Sequence, residues 1–396
     1  MSGKEIRLVL LLAFIQFTGI VDFMIMMPLK PLLTAEWGVT PKEFGVLVFS
    51  YGFGAFISSL IFVNKVDLYD RKKVLLLIYT GFTICTFLCS VSTSYAFLLT
   101  ARFATGLFGG IASSVIQSIV GDAIHPSKRG QAMGVLMTGF SLASVVGVPG
   151  GLYLASAYTW STPFLVLSFI CFVVWLGVIF IVPNFTNHLA TATKMSLVKL
   201  LKNLLSDANK IKALLLTFTI VCSHFLIIPF LTDYFTANLK FDFRSTVPLV
   251  YVVGGLLSAF ISPLVGKLSD KYGRQIVITI LTFLSLIPIL GITNLYTSSV
   301  FVLLSVTATF FIFSGTRMII NLAHVTSTVE PKQRGAFLII NSSIQQFGTS
   351  MSSLIGGFIV MQNADGTLVG YKYLGYGAVI LAFIALFLFG KVKAVE

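Results

Sequence analysis

Asp22 is a carboxylate set inside a run of apolar residues that extends from Leu8 to Leu29. Arg102 and His224 sit in similar surroundings further along the chain. A dry environment favours the neutral acid, a nearby guanidinium favours the carboxylate, and entering water or ligand can tip the balance. That is the chemistry of a proton carrier, with Asp22 as the carrier and Arg102 as the group that tunes it. The same two residues could instead form a fixed structural pair. His224 could join the proton chemistry, or it could be a polar residue hydrogen-bonded between helices. Met26, one helical turn from Asp22, and Arg317, Asn341 and Gln345 are further candidates to line a ligand cavity. Arg317 could recruit an anionic ligand or snorkel to headgroups. Asn341, Gln345 and Gln346 could bind a ligand or join helices. Asp233 is expected to sit in water.

The rest of the inventory offers no enzyme chemistry. Cys85, Cys89, Cys171 and Cys222 all fall in apolar stretches, which points to neither a disulfide nor a metal site. No nucleophile motif, metal-ligand cluster or phosphate-cradling glycine-lysine loop is present. No cofactor is expected, and a nucleotide-driven pump on this chain is excluded.

The elements that must position these residues follow from composition. Only 10% of the 396 residues are charged, 56% are hydrophobic, and mean hydropathy is +0.95. A soluble domain carries about a quarter charged residues. Each bilayer span needs about 20 apolar residues in a helix, because backbone polar groups find no water in lipid. A barrel would show alternating segments of about 10 residues, and runs such as Val74–Cys89 do not alternate. The pattern predicts an all-α membrane protein with twelve spans, at 7–32, 44–63, 74–92, 96–121, 131–156, 162–183, 211–236, 246–265, 276–294, 299–325, 336–361 and 374–390. These divide into two pseudo-symmetric six-helix bundles, 1–183 and 211–396. The linker, 184–210, carries Leu197, Leu200, Leu201, Leu204 and Leu205 on one face, which suits a short helix lying on the membrane surface. The first span is too long for a signal peptide and lacks a small-residue cleavage site.

The net charge of +13 does not mark a nucleic-acid binder. Most of the 27 basic residues collect in every second loop, for example Lys65, Arg71, Lys72 and Lys73, then Lys267, Lys271 and Arg274. The positive-inside rule then places both termini in the cytoplasm. At 1.5 Å per residue, Asp22 lies about 22 Å from that side, and Arg102 and His224 about 20 Å. The three groups share one level.

The halves also repeat. His125-Pro-Ser-Lys-Arg129-Gly130 matches Glu330-Pro-Lys-Gln-Arg334-Gly335, Gly150-Gly151 matches Gly356-Gly357, and Asp67…Arg71 matches Asp270…Arg274. Pro229 follows His224 as Pro28 follows Asp22. A parallel repeat about an axis along the membrane normal is one plan of secondary transporters, with substrate held near the midplane.

On these residues the whole chain resembles the major facilitator superfamily. Gly266-Lys-Leu-Ser-Asp270-Lys-Tyr-Gly273-Arg274 reproduces the family's loop signature, and Val63…Asp67…Asp70-Arg71 is its degenerate copy. The resemblance implies that Asp67, Arg71, Gly266, Asp270, Gly273 and Arg274 act as gating latches, with Asp122 a natural partner for Arg71. Leu99-Thr-Ala-Arg102 is similar to the family's fourth-helix signature with a buried Arg. Gly139, then Gly147-Val-Pro149-Gly150-Gly151, resembles the fifth-helix signature of its proton-driven antiporters, and Asp22 is placed like the first-helix acid of that group. The closest likeness is to the bacterial multidrug and sugar-efflux branch. It implies a monomeric, alternating-access antiporter that exports a small organic compound (drug, sugar or metabolite) across the inner (plasma) membrane in exchange for protons. The alternative is a proton symporter or facilitator that imports a small metabolite.

Overall fold

The computed structural model of the chain describes residues 1–62, 68–186, 206–330 and 334–394. Its helices in order are α1 (Gly3–Ile25), α2 (Lys30–Trp37), α3 (Pro41–Phe62), α4 (Arg71–Ser90), α5 (Tyr95–Ala123), α6 (Arg129–Leu142), α7 (Val148–Ala157) and α8 (Thr162–Ile181). After the linker come α9 (Ala208–Phe225), α10 (Leu231–Ala237), α11 (Thr246–Tyr272), α12 (Arg274–Thr293), α13 (Val300–Thr326), α14 (Arg334–Ile359) and α15 (Tyr371–Phe389). A two-strand hairpin, β1 (Met361–Gln362) with β2 (Leu368–Val369), joins the last two helices.

Among the described residues eleven spans are long and apolar enough to cross a bilayer. The twelfth is α14, a helix of 26 residues whose buried face holds Asn341, Ser343, Ser350 and Ser353 and so lowers its hydropathy. The protein is an all-α, twelve-span membrane protein. The surface helix expected within 184–210 falls largely on 187–205, outside the described residues.

Three spans are interrupted, and proline marks each interruption. The first runs from Gly3 to Trp37, beyond the expected end at 32, and breaks into a 3-10 turn at Met27–Leu29 that contains Pro28. The seventh breaks in the same way at Ile228–Phe230, around Pro229. Proline lacks the amide hydrogen that a helix interior needs, so the backbone tightens there. In the fifth span a π-helical turn, Ala143–Gly147, lies just before Pro149. The first and seventh spans therefore share one break at matching places in the repeat.

The helices pack into two compact units. One contains residues 1–25 and the described part of 50–200, the other residues 26–49 and the described part of 201–396. In the first, Leu12 and Ile15 of α1 pack with Tyr79 and Phe82 of α4, Val115 and Ile119 of α5, and Leu167 and Cys171 of α8. In the second, α9 packs against α14 and α15. Small residues on α15, Ala378 and Ala382, are fully buried, which suits close approach where lipid gives no hydrophobic drive to helix pairing.

Candidate functional site

Close backbone contact sets up the site of the first unit. A Cβ on Gly106 would run into the carbonyl of Tyr51, and one on Gly110 would lie 2.5 Å from the Cα of Ala55. Glycine is therefore required for α5 to lie against α3. The α5 helix starts at Ser94, whose hydroxyl accepts from the Phe97 amide at 3.3 Å. This packing brings Arg102 beneath the Tyr51 ring, 4.5 Å from its centroid, with Phe164 at 5.6 Å. Arg102 Nη1 donates to Asp22 Oδ2 at 2.7 Å, and Thr86 Oγ1 donates to Asp22 Oδ1 at 3.3 Å. Asp22 is 0% exposed and Arg102 1%. The buried acid thus holds one charged and one hydroxyl donor. The aromatic rings keep water from the guanidinium, which strengthens the pairing.

Asp22 is held in place by the fifth span. Gly139 lies 3.3 Å, measured from an added Cβ, from the carbonyl of Ala13, and Cβ atoms at Gly147 and Gly151 would strike the Val21 and Ile25 side chains. Pro149 sits in the first turn of α7. Gly150 has open space around it, so closeness to a neighbour does not account for that glycine.

The other cavity candidates fall in the second unit. His224 is buried at the end of α9 and stacks on Phe310, with ring centroids 5.1 Å apart and planes 11° from parallel. Phe225 meets it edge-on, also at 5.1 Å. Its Nδ1 has no hydrogen-bond partner among the described residues. The interhelical hydrogen bond considered for His224 is replaced by aromatic packing, because phenyl rings surround the imidazole. Arg317 is 1% exposed, and its Nη2 donates to Ser223 Oγ at 3.3 Å and Ser314 Oγ at 3.4 Å. It does not snorkel: the side chain turns toward α9 inside the unit. Asn341 Oδ1 accepts from Thr217 Oγ1 at 2.7 Å, and Asn321 Nδ2 donates to the same hydroxyl at 3.0 Å. Gln345 is half-buried, and Met26 is 1% exposed. Asp22 and Arg102 belong to one unit and His224 to the other.

The loop motifs show how the repeat works at helix ends. Arg71 Nε donates to Asp122 at the end of α5. Arg274, its counterpart, donates to the Ala323 carbonyl and the Ser327 hydroxyl, both at 3.1 Å, at the end of α13. Arg129 and Arg334 each donate Nε to the carbonyl five residues before, Ile124 at 3.0 Å and Val329 at 3.4 Å. Cations placed there meet the unpaired carbonyls of a helix C-terminus. Asp70 caps α4 by accepting from the Lys72 amide at 2.9 Å. Gly273 has φ +91°, a conformation that other residues adopt only with strain, and forms the joint between α11 and α12. Asp270 and Gly266 lie near the end of α11, Asp270 exposed and Gly266 with open space around it. Asp67 lies outside the described residues.

Sequence reasoning passed over a further ion pair. Lys30 Nζ donates to Asp233 Oδ2, and both residues are buried. Asp233, expected in water, is 3% exposed because the break at Pro229 turns the short helix α10 inward against α2. A signal was present: each residue closely follows its own proline, Lys30 after Pro28 and Asp233 after Pro229. Tyr51 and Thr86 had no comparable signal, since both types are common in spans.

Twelve spans with ion pairs buried inside them are the architecture of a multi-pass membrane transporter. The chain belongs to the Major Facilitator Superfamily, whose profile matches residues 12–315 and 213–395. The MFS-type transporter YceJ of Bacillus subtilis is 27% identical over 361 residues, 88% of each chain. A protein of Mannheimia succiniciproducens described as a probable sugar efflux transporter is 23% identical, over 87% of this chain and 84% of its own. Among solved structures, a bacterial homolog of the human lysosomal transporter Spinster superposes with a TM-score of 0.76 at 14% identity, over 99% of this chain and 97% of its own. The nucleoside transporter NupG gives 0.76 at 14% identity, over 98% of this chain and all of its own. At that identity the likeness is one of fold.

Proposed function

We propose that the protein exports a small organic compound, a drug, sugar or metabolite, in exchange for protons, by alternating access across the inner (plasma) membrane. The observation that carries this reading is the Asp22–Arg102 pair, buried and joined at 2.7 Å with Thr86 as third member. An acid in a span costs about 2.5–3.5 kcal/mol on insertion scales, so an acid retained there needs a use. Arg102 alongside favours the carboxylate form of Asp22, and pulling the pair apart in a dry site favours uptake of a proton. A binding partner that competes for Arg102 or Asp22 therefore exchanges with a proton. The relative described as a probable sugar efflux transporter supports export. In this reading the bundles 1–183 and 211–396 are the moving bodies of a monomer whose termini are cytoplasmic. Arg71–Asp122 and Arg274 then serve as latches, and the region of Gly147 and Pro149 seals against proton leak.

The test is proton movement on adding substrate to vesicles that contain the purified protein, screened against drugs, sugars and metabolites. Antiport moves protons opposite to substrate, and Asp22→Asn abolishes that movement. Protons that travel with the substrate would make the protein a symporter. Wild-type proton movement in Asp22→Asn would remove Asp22 as carrier.

A further inference from the structure

Four side chains with a fixed positive charge are buried among the described residues: Lys30, Arg71, Arg102 and Arg317. Three have a carboxylate, namely Asp233, Asp122 and Asp22. Arg317 has none. Among the described residues its Nε and Nη1 have no hydrogen-bond partner, and Nη2 makes two long contacts with serine hydroxyls. The Ser223 hydrogen is already committed to the Ala378 carbonyl, at 2.8 Å, so its oxygen is free to accept from Arg317. Both contacts supply dipoles and no charge. A buried charge without a counter-charge costs several kcal/mol, and proteins keep one where something else supplies the missing partner.

We infer that Arg317 is the recognition site for an anionic group, a carboxylate or similar oxyanion, on the transported solute. This deepens the transport reading and rests on it, but it does not depend on proton coupling. Arg317 has five donors arranged to match such oxygens, and two of its three nitrogens are uncommitted. Nearby, Asn341 Nδ2 and Asn321 Oδ1 are likewise buried without partners. Asn321 lies one turn from Arg317 on α13, and Asn341 reaches it through Thr217. An amide donor and an amide acceptor left open beside an open guanidinium suit a small solute that carries polar groups besides its anion. A lipid headgroup offers the same oxyanion. Arg317, however, lies nine residues before the end of α13, about 14 Å along the axis, and it faces α9 rather than lipid.

The experiment uses the full-length protein in nanodiscs of phosphatidylcholine. Binding and thermal stabilisation are measured for matched pairs, glucuronate against glucose and benzoate against benzamide, at fixed ionic strength. The anion of at least one pair should bind about tenfold or more tighter than its neutral partner. That preference should vanish in Arg317→Gln and survive in part in Arg317→Lys. Without ligand, Arg317→Met should unfold at a higher temperature than wild type, since it removes an uncompensated charge; a purely structural arginine would give the opposite shift. Equal binding within every pair, no binding by either anion, an anion preference that persists in Arg317→Gln, or a less stable Arg317→Met each overturns the proposal. If phosphatidylglycerol in the nanodisc stabilises wild type but not Arg317→Gln, the anion is a headgroup and the solute site is wrong. Anion preference is read from equilibrium binding and proton coupling from vesicle transport, so failure of one is distinguishable from failure of the other.

Discussion

Lys30 and Asp233 form a buried ion pair between α2 and α10, the two short helices that follow the proline-marked breaks. Each follows a proline-marked break, Lys30 directly after the turn Met27–Leu29 and Asp233 two residues into α10. Opposite charges there hold α2 to α10. In the same unit Gly45 and Gly357 allow α3 and α14 to touch, with a Cβ on Gly45 only 2.7 Å from the Ser353 carbonyl.

Removing one member of this pair strands the other. Asp233→Asn or Lys30→Met should each lower stability by roughly 3–5 kcal/mol, the usual cost of leaving a buried charge alone. The double variant Lys30→Met with Asp233→Asn should recover much of that loss. Thermal unfolding of all four proteins in one detergent closes the cycle. Additive losses would mean that the two charges do not depend on each other.

Gly147 should be intolerant of any side chain. A Cβ there strikes Val21, the neighbour of Asp22, so Gly147→Leu pushes α1 away from the fifth span and moves the acid off Arg102. Transport should fall at least tenfold, or protons should leak without substrate. Val21→Ala in the same protein should restore part of the function by making room. Gly150→Ala, at a position with open space, is the matched control and should transport normally. A coupled, full-rate Gly147→Leu would remove the steric account.

How legible was this site in the sequence? Charge cost inside apolar runs pointed to Asp22 and Arg102, and depth counting gave their shared level. Periodicity gave the spans, because lipid forces helices of a known length. Loop spacing matched Arg71 to Arg274, though only the folded chain shows one meeting a carboxylate and the other a carbonyl and a hydroxyl. Asp233 was misplaced because counting along an ideal helix ignores the turn at Pro229. Arg317 was ambiguous because sequence gives a residue's height but not the face that meets a neighbour. The His224 environment needed Phe310, 86 positions away, and Phe is so abundant here that no single one stands out.

Asp270→Asn separates a gating role from a structural one. Asp270 is exposed at the end of α11, so the neutral variant should insert and unfold as wild type does. If it latches helix ends during the transport cycle, transport should fall severely at unchanged expression. Arg274→Ala, by contrast, frees the Ala323 carbonyl and the Ser327 hydroxyl. It should lose both transport and about 1 kcal/mol of stability, the net worth of a hydrogen bond of this kind. Transport at wild-type rate in Asp270→Asn would leave that residue with a topological role only.

Arg102 decides how readily Asp22 gives up its proton, and the pair can be taken apart one charge at a time. In Arg102→Ala the acid loses its charged donor and keeps Thr86 at 3.3 Å. A buried carboxylate without a cation is disfavoured, so Asp22 should stay protonated to higher pH than in wild type. Transport that needs the ionised acid should therefore move its pH profile upward, with the maximum rate reached only in alkaline medium. Asp22→Asn acts in the other direction: the guanidinium stays charged beside a neutral amide, nothing titrates, and the pH dependence flattens. The double variant Asp22→Asn with Arg102→Gln removes both charges. It should be more stable than Asp22→Asn, which buries an unpaired arginine, yet equally unable to couple protons. Rates measured in vesicles across the pH range, together with unfolding temperatures, distinguish the two roles. A pH profile that Arg102→Ala leaves unmoved would mean that Asp22 does not set it.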